Sequence, residues 1–438
     1  MSAFRLIAIM VIFGVVSIGW VTLAGSVAIR TERLDQSLSG EMATLWGPKL
    51  VAQSAPFWAP DGKHLSREEA DVSVPASSDI RASIRHENRD KGLLWYSTFT
   101  VDFHGEYGFE ASEVPADKPV KGLVRFDVPW RVTPIDLRVS VDGNAVELPY
   151  DQKVSGKLRI PLDRTRPHVV TVAYRATGQD YWAYCPGEAV SHLNTRHAES
   201  QDSHLPVQST RAELRNFRLA VTTDFRDIDY PRGSRSPSTE ATVTDDGTVS
   251  KWEFRSIITH QPMGIVMPRR PNAGPIVARM SLFAPVSLLF FFTAVFTICV
   301  LKKIPLHPMH YLFLAAGFFA FHILLAYLAD HVNIHAAFWV SATVSVVLVV
   351  SYLRLVAGVK FAVFYAGASQ LLYLVGFSYA FFWVGMTGLT VTIGAVATLF
   401  VLMQATGRVD WFEVFRPRPD RSPDGDPVTP PAAPEGTG

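Results

Sequence analysis

Five apolar segments crowd the last third of the chain, at about 282–301, 309–329, 334–353, 361–382 and 385–405, and a sixth runs from Phe4 to Ile29. Each is long enough, as an α-helix, to cross a hydrocarbon layer of about 30 Å. Lipid offers no partner for an unpaired backbone amide, so segments of this length and polarity are read as helices rather than strands. The polar stretch between the first and second, residues 30–281, must then build a separate core. This segregation explains how a chain that is 48% hydrophobic can also be 18% charged. A net charge of +1 gives no nucleic-acid signal.

The first apolar run carries one charge, Arg5. Ser26 and Ala28 are small enough for a cleavage site, so a removable signal peptide competes with an anchor; the apolar part is longer than a usual signal core, which favours the anchor. Orientation follows from the short loops. Lys302 and Lys303, then Arg354 and Lys360, and finally Arg408, Arg416, Arg418 and Arg421 occupy alternate connections. The others, "DHVN" at 330–333 and the turn near Gly385, contain no Lys or Arg, so the basic set is expected on the cytoplasmic side. Arg30 and Arg33 oppose this at the first span, but long exported domains translocate largely regardless of charge. Six spans with both termini cytoplasmic follow. The expected domains are an anchor at 1–29, an extracytoplasmic domain at 30–281, a five-helix bundle at 282–406 and a tail at 407–438.

The exported segment reads as β-rich. "LWYSTFTVDF" (94–103), "GLVRFDVPW" (122–130), "IDLRVSV" (135–141), "KLRIPL" (157–162), "HVVTVAYRA" (168–176) and "AELRNFRLAVTT" (212–223) alternate apolar with polar residues. Asp142-Gly143-Asn144 and Asp245-Asp246-Gly247 supply turns. The fold class is therefore an α+β membrane protein: one N-terminal transmembrane helix, a β-rich, sandwich-like domain, then a five-helix transmembrane bundle. Residues 30–90 suggest no firm architecture beyond a short helix around Ser66 to Ala70. The tail from Arg416 is rich in Pro, Gly and charge and is expected to be disordered. Cys185 and Cys299 fall in different domains, so no disulfide is expected.

The spans hold no Asp, Glu, Lys or Arg away from their ends, which counts against ion-coupled transport. Away from the ends, their polar residues are hydroxyls, Gln370, Gln404 and one histidine, His322, in the middle of "LHPMHYLFLAAGFFAFHILLAYLADH" (306–331). An imidazole at that depth must face the bundle interior or water, with Gln370 or a hydroxyl of the fourth span as the expected partner; a ligand, lipid-pocket or proton role is the functional alternative. Ala315, Ala316, Gly317 and Ala320, with Gly367, Ala368, Gly388 and Gly394, indicate close helix packing rather than a pore. Pro305 and Pro308 stop one helix and start the next. With His307 and His310 beside them, they mark either a tight hairpin or a docking point for a cytoplasmic partner.

Asp330, His331 and His335, and separately Cys185, His192, His197 and His204, are groupings that zinc could use, although neither matches an established spacing. No cofactor is expected. GxSxG, HExxH, P-loop and GxGxxG patterns are missing. "YWAYCPG" (181–187) is either a ligand-facing aromatic and thiol patch or, more simply, core.

The run Leu306-His307-Pro308-Met309 leading into Tyr311-Leu312, then Leu324-Leu325-Ala326 and Asp330-His331, resembles the corresponding helix of the CreD family. "GRVDWF" (407–412) and "LWGPKLVA" (45–52) resemble that family too. The resemblance implies a six-span bacterial inner-membrane protein with a large periplasmic domain, associated with envelope integrity and with colicin and β-lactam responses. It supplies no catalytic residues. Two functions stay open: a non-enzymatic envelope protein whose periplasmic domain binds a cell-wall, lipid or protein partner, and a permease or membrane-embedded enzyme built on the bundle. The candidate functional or packing residues are His322, His307, Pro308, His310, Asp330 and His331.

Overall fold

The computed structural model describes residues 3–60, 73–111, 121–189, 209–383 and 385–407. The expected short helix at 66–70, the histidines His192, His197 and His204, and the tail from Arg416 lie outside the described residues. The chain divides into two compact units, Thr31–Asn272 and a second formed by Met1–Arg30 with Ala273–Gly438.

Helix α1 (Ala3–Trp46) outlasts the apolar run that ends near Ile29. Beyond that point Leu34, Leu38, Met42 and Trp46 recur every four residues and form one apolar face among charged neighbours. That face packs on Leu94 and Tyr96 within the first unit.

The strands follow as β1 (Leu50–Ser54), β2 (Phe57–Pro60), β3 (Ser77–Lys91), β4 (Leu94–Phe109), β5 (Lys121–Asp127), β6 (Ile135–Val141) and β7 (Asn144–Ala145). After a short helix, α2 (Tyr150–Ser155), come β8 (Lys157–Asp163), β9 (His168–Gln179), β10 (Tyr181–Cys185), β11 (Ala212–Thr223), β12 (Thr242–Thr244), β13 (Gly247–Thr259) and β14 (Met263–Val266). One eight-stranded sheet has the order β12-β13-β11-β3-β4-β9-β6-β7; two smaller sheets are β1-β10-β14 and β2-β5-β8. All three contribute to one core. Ile80, Phe103, Val172 and Leu219 come from the large sheet, Phe126 and Ile160 from one small sheet, and Val51, Trp182 and Ile265 from the other. The β-rich, sandwich-like domain expected from the alternating runs is the one observed.

Local chemistry explains where strands stop. The run expected to reach residue 130 ends at Asp127, two residues before Pro129, which has no amide to give a ladder. Asp142 and Gly143, with φ of 50° and 81°, close the β6–β7 hairpin in the left-handed conformation that its short turn requires. "YWAYC" is buried along its whole length because β10 lies between β1 and β14 inside the core, so the aromatic residues are packing groups.

In the second unit, α1 is joined by α3 (Ala273–Lys302), α4 (Pro308–Leu328), α5 (Ile334–Ala357), α6 (Phe361–Phe382) and α7 (Thr387–Thr406), all six long and apolar enough to cross a membrane. Helix α3 begins at Ala273, ahead of the apolar run at 282, and buries Ile276, Val277 and Met280 on the way. Trp20 of α1 shares a core with Leu288 and Phe291 of α3, Phe318 and Phe321 of α4, Phe338 of α5 and Leu374 of α6. Helix α6 is irregular: Phe361–Gly367 and Leu371–Gly376 are wound as π-helix around a short α-helical piece ending at Gln370. Such widened turns often occur at functional positions.

Candidate functional site

The six candidate residues lie along α4 and its ends. A helix of 21 residues is about 30 Å long, so its two ends cannot form one site. They form three separate arrangements.

At the start, His307 caps α4: its Nδ1 accepts the Met309 amide at 3.2 Å, and Pro308 occupies the first helical position, where a missing amide costs nothing. His310 Nδ1 meets the Tyr352 hydroxyl of α5 at 2.7 Å. The His307 and His310 rings approach edge to face at 6.5 Å. Both histidines therefore have structural work at a helix start.

In the middle, His322 is 1% exposed. Its Nδ1 lies 3.1 Å from the Phe318 carbonyl one turn back. A carbonyl only accepts, so Nδ1 carries the proton and a neutral ring presents a bare acceptor at Nε2. That atom has no hydrogen-bond partner among the described residues. Trp20 meets the ring edge-on at 5.8 Å and Phe321 at 4.8 Å. The expected partner is engaged elsewhere: Gln370 Nε2 donates to Ser345 Oγ at 2.9 Å, and Ser345 Oγ donates to the Gly317 carbonyl at 2.6 Å. This relay ties α6 through α5 to α4. Close helix packing leaves the shorter serine, not the imidazole, within reach of the amide.

At the far end, Asp330 pairs with Arg30 of α1 at 2.7 Å. Arg30 also donates to the Ala326 carbonyl at 2.9 Å and lies over the Tyr327 ring at 5.4 Å. Burial pushes the Asp330 carboxyl above the usual aspartate range, opposed by Arg30 and His331. His331 is exposed, while His335 stacks on Phe382 at 4.6 Å instead of joining a ligand set. Among the described residues no three His, Cys, Asp or Glu side chains are placed to hold a metal.

Arg30 was visible in the sequence as a charge at the end of an apolar run, as was Asp330; their pairing across 300 positions was not. An asymmetry follows. Arg30→Ala strands a partly buried carboxylate and is expected to cost about 1–2 kcal/mol, moderated by the pair's partial exposure. Asp330→Asn, which also removes the burial penalty, should cost less. Because the folded carboxyl titrates above its unfolded value, its stabilising contribution is full below the ordinary aspartate pKa and falls as pH rises through the folded value. Thermal unfolding of the two variants across pH 3–7 checks both points; a steeper loss in Asp330→Asn, or an unchanged pH slope there, contradicts them.

Comparison with known proteins adds one finding. Residues 237–412, from just before β12 through α7, match the model of the family described as inner membrane protein CreD. No curated protein matches the chain. Over residues 237–412 the chain is similar to the CreD family, and this likeness, which takes in five of the six bilayer-length helices among the described residues, supports a multi-pass inner membrane protein.

Proposed function

We propose that the protein supports cell-envelope integrity by carrying its β unit on the periplasmic side of the inner membrane, where that unit binds an envelope component. Both termini are then cytoplasmic. The basic residues Lys302, Lys303, Arg354 and Lys360 in alternate connections support this orientation. The single observation that carries the reading is the occupied interior of the bundle. Gln370 Nε2 donates to Ser345 Oγ, which donates to the Gly317 carbonyl, and a Cβ placed on Gly317 would lie 2.5 Å from Val349. A bundle closed at this level suits an anchor, and recognition falls to the β unit.

A second reading, a permease or membrane-embedded enzyme, draws on one specific feature: His322 Nε2 and Gln370 Oε1 are buried polar atoms without partners among the described residues. Complementation separates the two. A deletion strain challenged with detergent and a β-lactam receives the wild type, His322→Ala, or a chain ended after Asn272. Rescue by His322→Ala and by the shortened chain is the expected result. Failure of both at normal membrane levels transfers the function to the bundle.

A further inference from the structure

The exposed face of the eight-stranded sheet contains a groove of about 490 Å³, within the size range of small-ligand sites. Strand register explains its shape. Ser77 of β3 lies opposite Gly108 of β4, so two neighbouring positions give the groove a low floor, and Val169 of β9, opposite Gly108, forms its apolar wall. The neighbouring row is charged. Arg218 of β11 sits between Glu253 of β13 and Asp79 of β3, and Asp79 lies directly opposite Glu106 of β4.

Two features of this row are unfavourable for a face that meets only water. Like charges directly opposite on neighbouring strands destabilise a sheet, yet Asp79 and Glu106 face each other. Their partners are lateral: Arg81 at 3.6 Å from Asp79 and His104 at 3.0 Å from Glu106. Meanwhile Arg218, and Arg255 two residues along β13 from Glu253, form no ion pair among the described residues, although Glu253 is opposite Arg218. The groove thus places a carboxylate pair beside two guanidinium groups that have forks free for carboxylates.

We propose that this groove binds a short zwitterionic peptide, its ammonium held between Asp79 and Glu106 and its carboxylates by Arg218 and Arg255. The proposal rests on the periplasmic placement of the β unit, where cell-wall stem peptides carry this combination of groups. An ammonium between the two carboxylates relieves their repulsion, so binding and local stability are linked.

The test is calorimetric titration of the full chain in detergent micelles with the tripeptide L-alanyl-γ-D-glutamyl-meso-diaminopimelate, and in parallel with all-L Ala-Glu-Lys. Saturable binding of the wall tripeptide is expected, weakened about tenfold or more by Asp79→Asn and by Arg218→Gln. Asp79→Asn removes a like-charge contact, so its thermal midpoint should equal or exceed that of the wild type, which separates lost binding from lost folding. Preference for the wall tripeptide assigns the groove to the cell wall; equal binding of both peptides supports the zwitterionic site and widens its ligand to peptides in general. No saturable heat with either peptide in the millimolar range, or unchanged affinity in both variants, overturns the proposal. If that happens while the chain ended after Asn272 still rescues the deletion strain, the envelope role stands and only the groove is lost.

Discussion

Trp182→Ala is expected to unfold the β unit or bring it close to unfolding. Trp182 is fully buried in β10, which pairs in parallel with β1 and antiparallel with β14, so the side chain has no route to solvent. Removing an aromatic ring from such a site costs about 3–5 kcal/mol through lost transfer energy and the cavity left behind. That is a large part of the stability of an ordinary domain, and for a unit of this size it corresponds to a fall in midpoint of about 10 °C. Trp182 Nε1 makes no hydrogen bond among the described residues, so Trp182→Phe forfeits volume but no polar contact and should lose a minor fraction of that amount. Near-UV circular dichroism of the full chain on heating reads both variants. An alanine variant melting with the wild type would falsify the placement of "YWAYC" at the centre of the core.

The amino-acid sequence revealed elements whose burial is one-sided and hid those whose pattern is masked. β6 alternates apolar and polar residues over its whole length, β11 does so on either side of the irregularity at Asn216, and both are found at the residues expected. β3 was not legible, because its alternation is carried by only Ile80, Ala82 and Ile84 and is followed by "RHENRDK", seven polar residues that hide the second half of the strand. The extension of α1 to Trp46 was hidden in a similar way, its apolar face reduced to one residue per turn. The membrane helices were the clearest signal, since lipid leaves a backbone no alternative.

For the candidate residues, the sequence identified positions but not partners. His322 was correctly located inside an apolar helix and is buried, yet Gln370 binds Ser345 instead of the imidazole. Which polar group reaches which depends on helix rotation and separation, and both are set by packing that a one-dimensional pattern does not contain. The same limit applies to the groove on the sheet. Asp79, Glu106 and Arg218 are ordinary surface charges in sequence, and only the register of β11, β3 and β4 makes them neighbours.

Gly317→Ala is expected to separate α4 from α5, at a cost of about 2–4 kcal/mol when overpacking and the loss of a buried hydrogen bond are taken together. The added methyl would lie 2.5 Å from Val349 Cγ2. Valine in a helix has one strongly preferred rotamer, so that atom cannot turn aside and the helices must move instead. Movement at this level also withdraws the Gly317 carbonyl from Ser345 Oγ, and Ser345 is the group that holds Gln370. One methyl therefore disturbs three helices. Adding Val349→Ala to Gly317→Ala removes the clashing atom and should recover most of the loss, whereas Val349→Ala alone leaves a small cavity and is mildly destabilising. Resistance of the detergent-solubilised chain to heat-induced aggregation measures all three. Recovery in the double variant assigns the effect to contact between α4 and α5; a Gly317→Ala protein as robust as the wild type means that the two helices do not meet at this glycine, and the closed-bundle basis of the anchor reading fails with it.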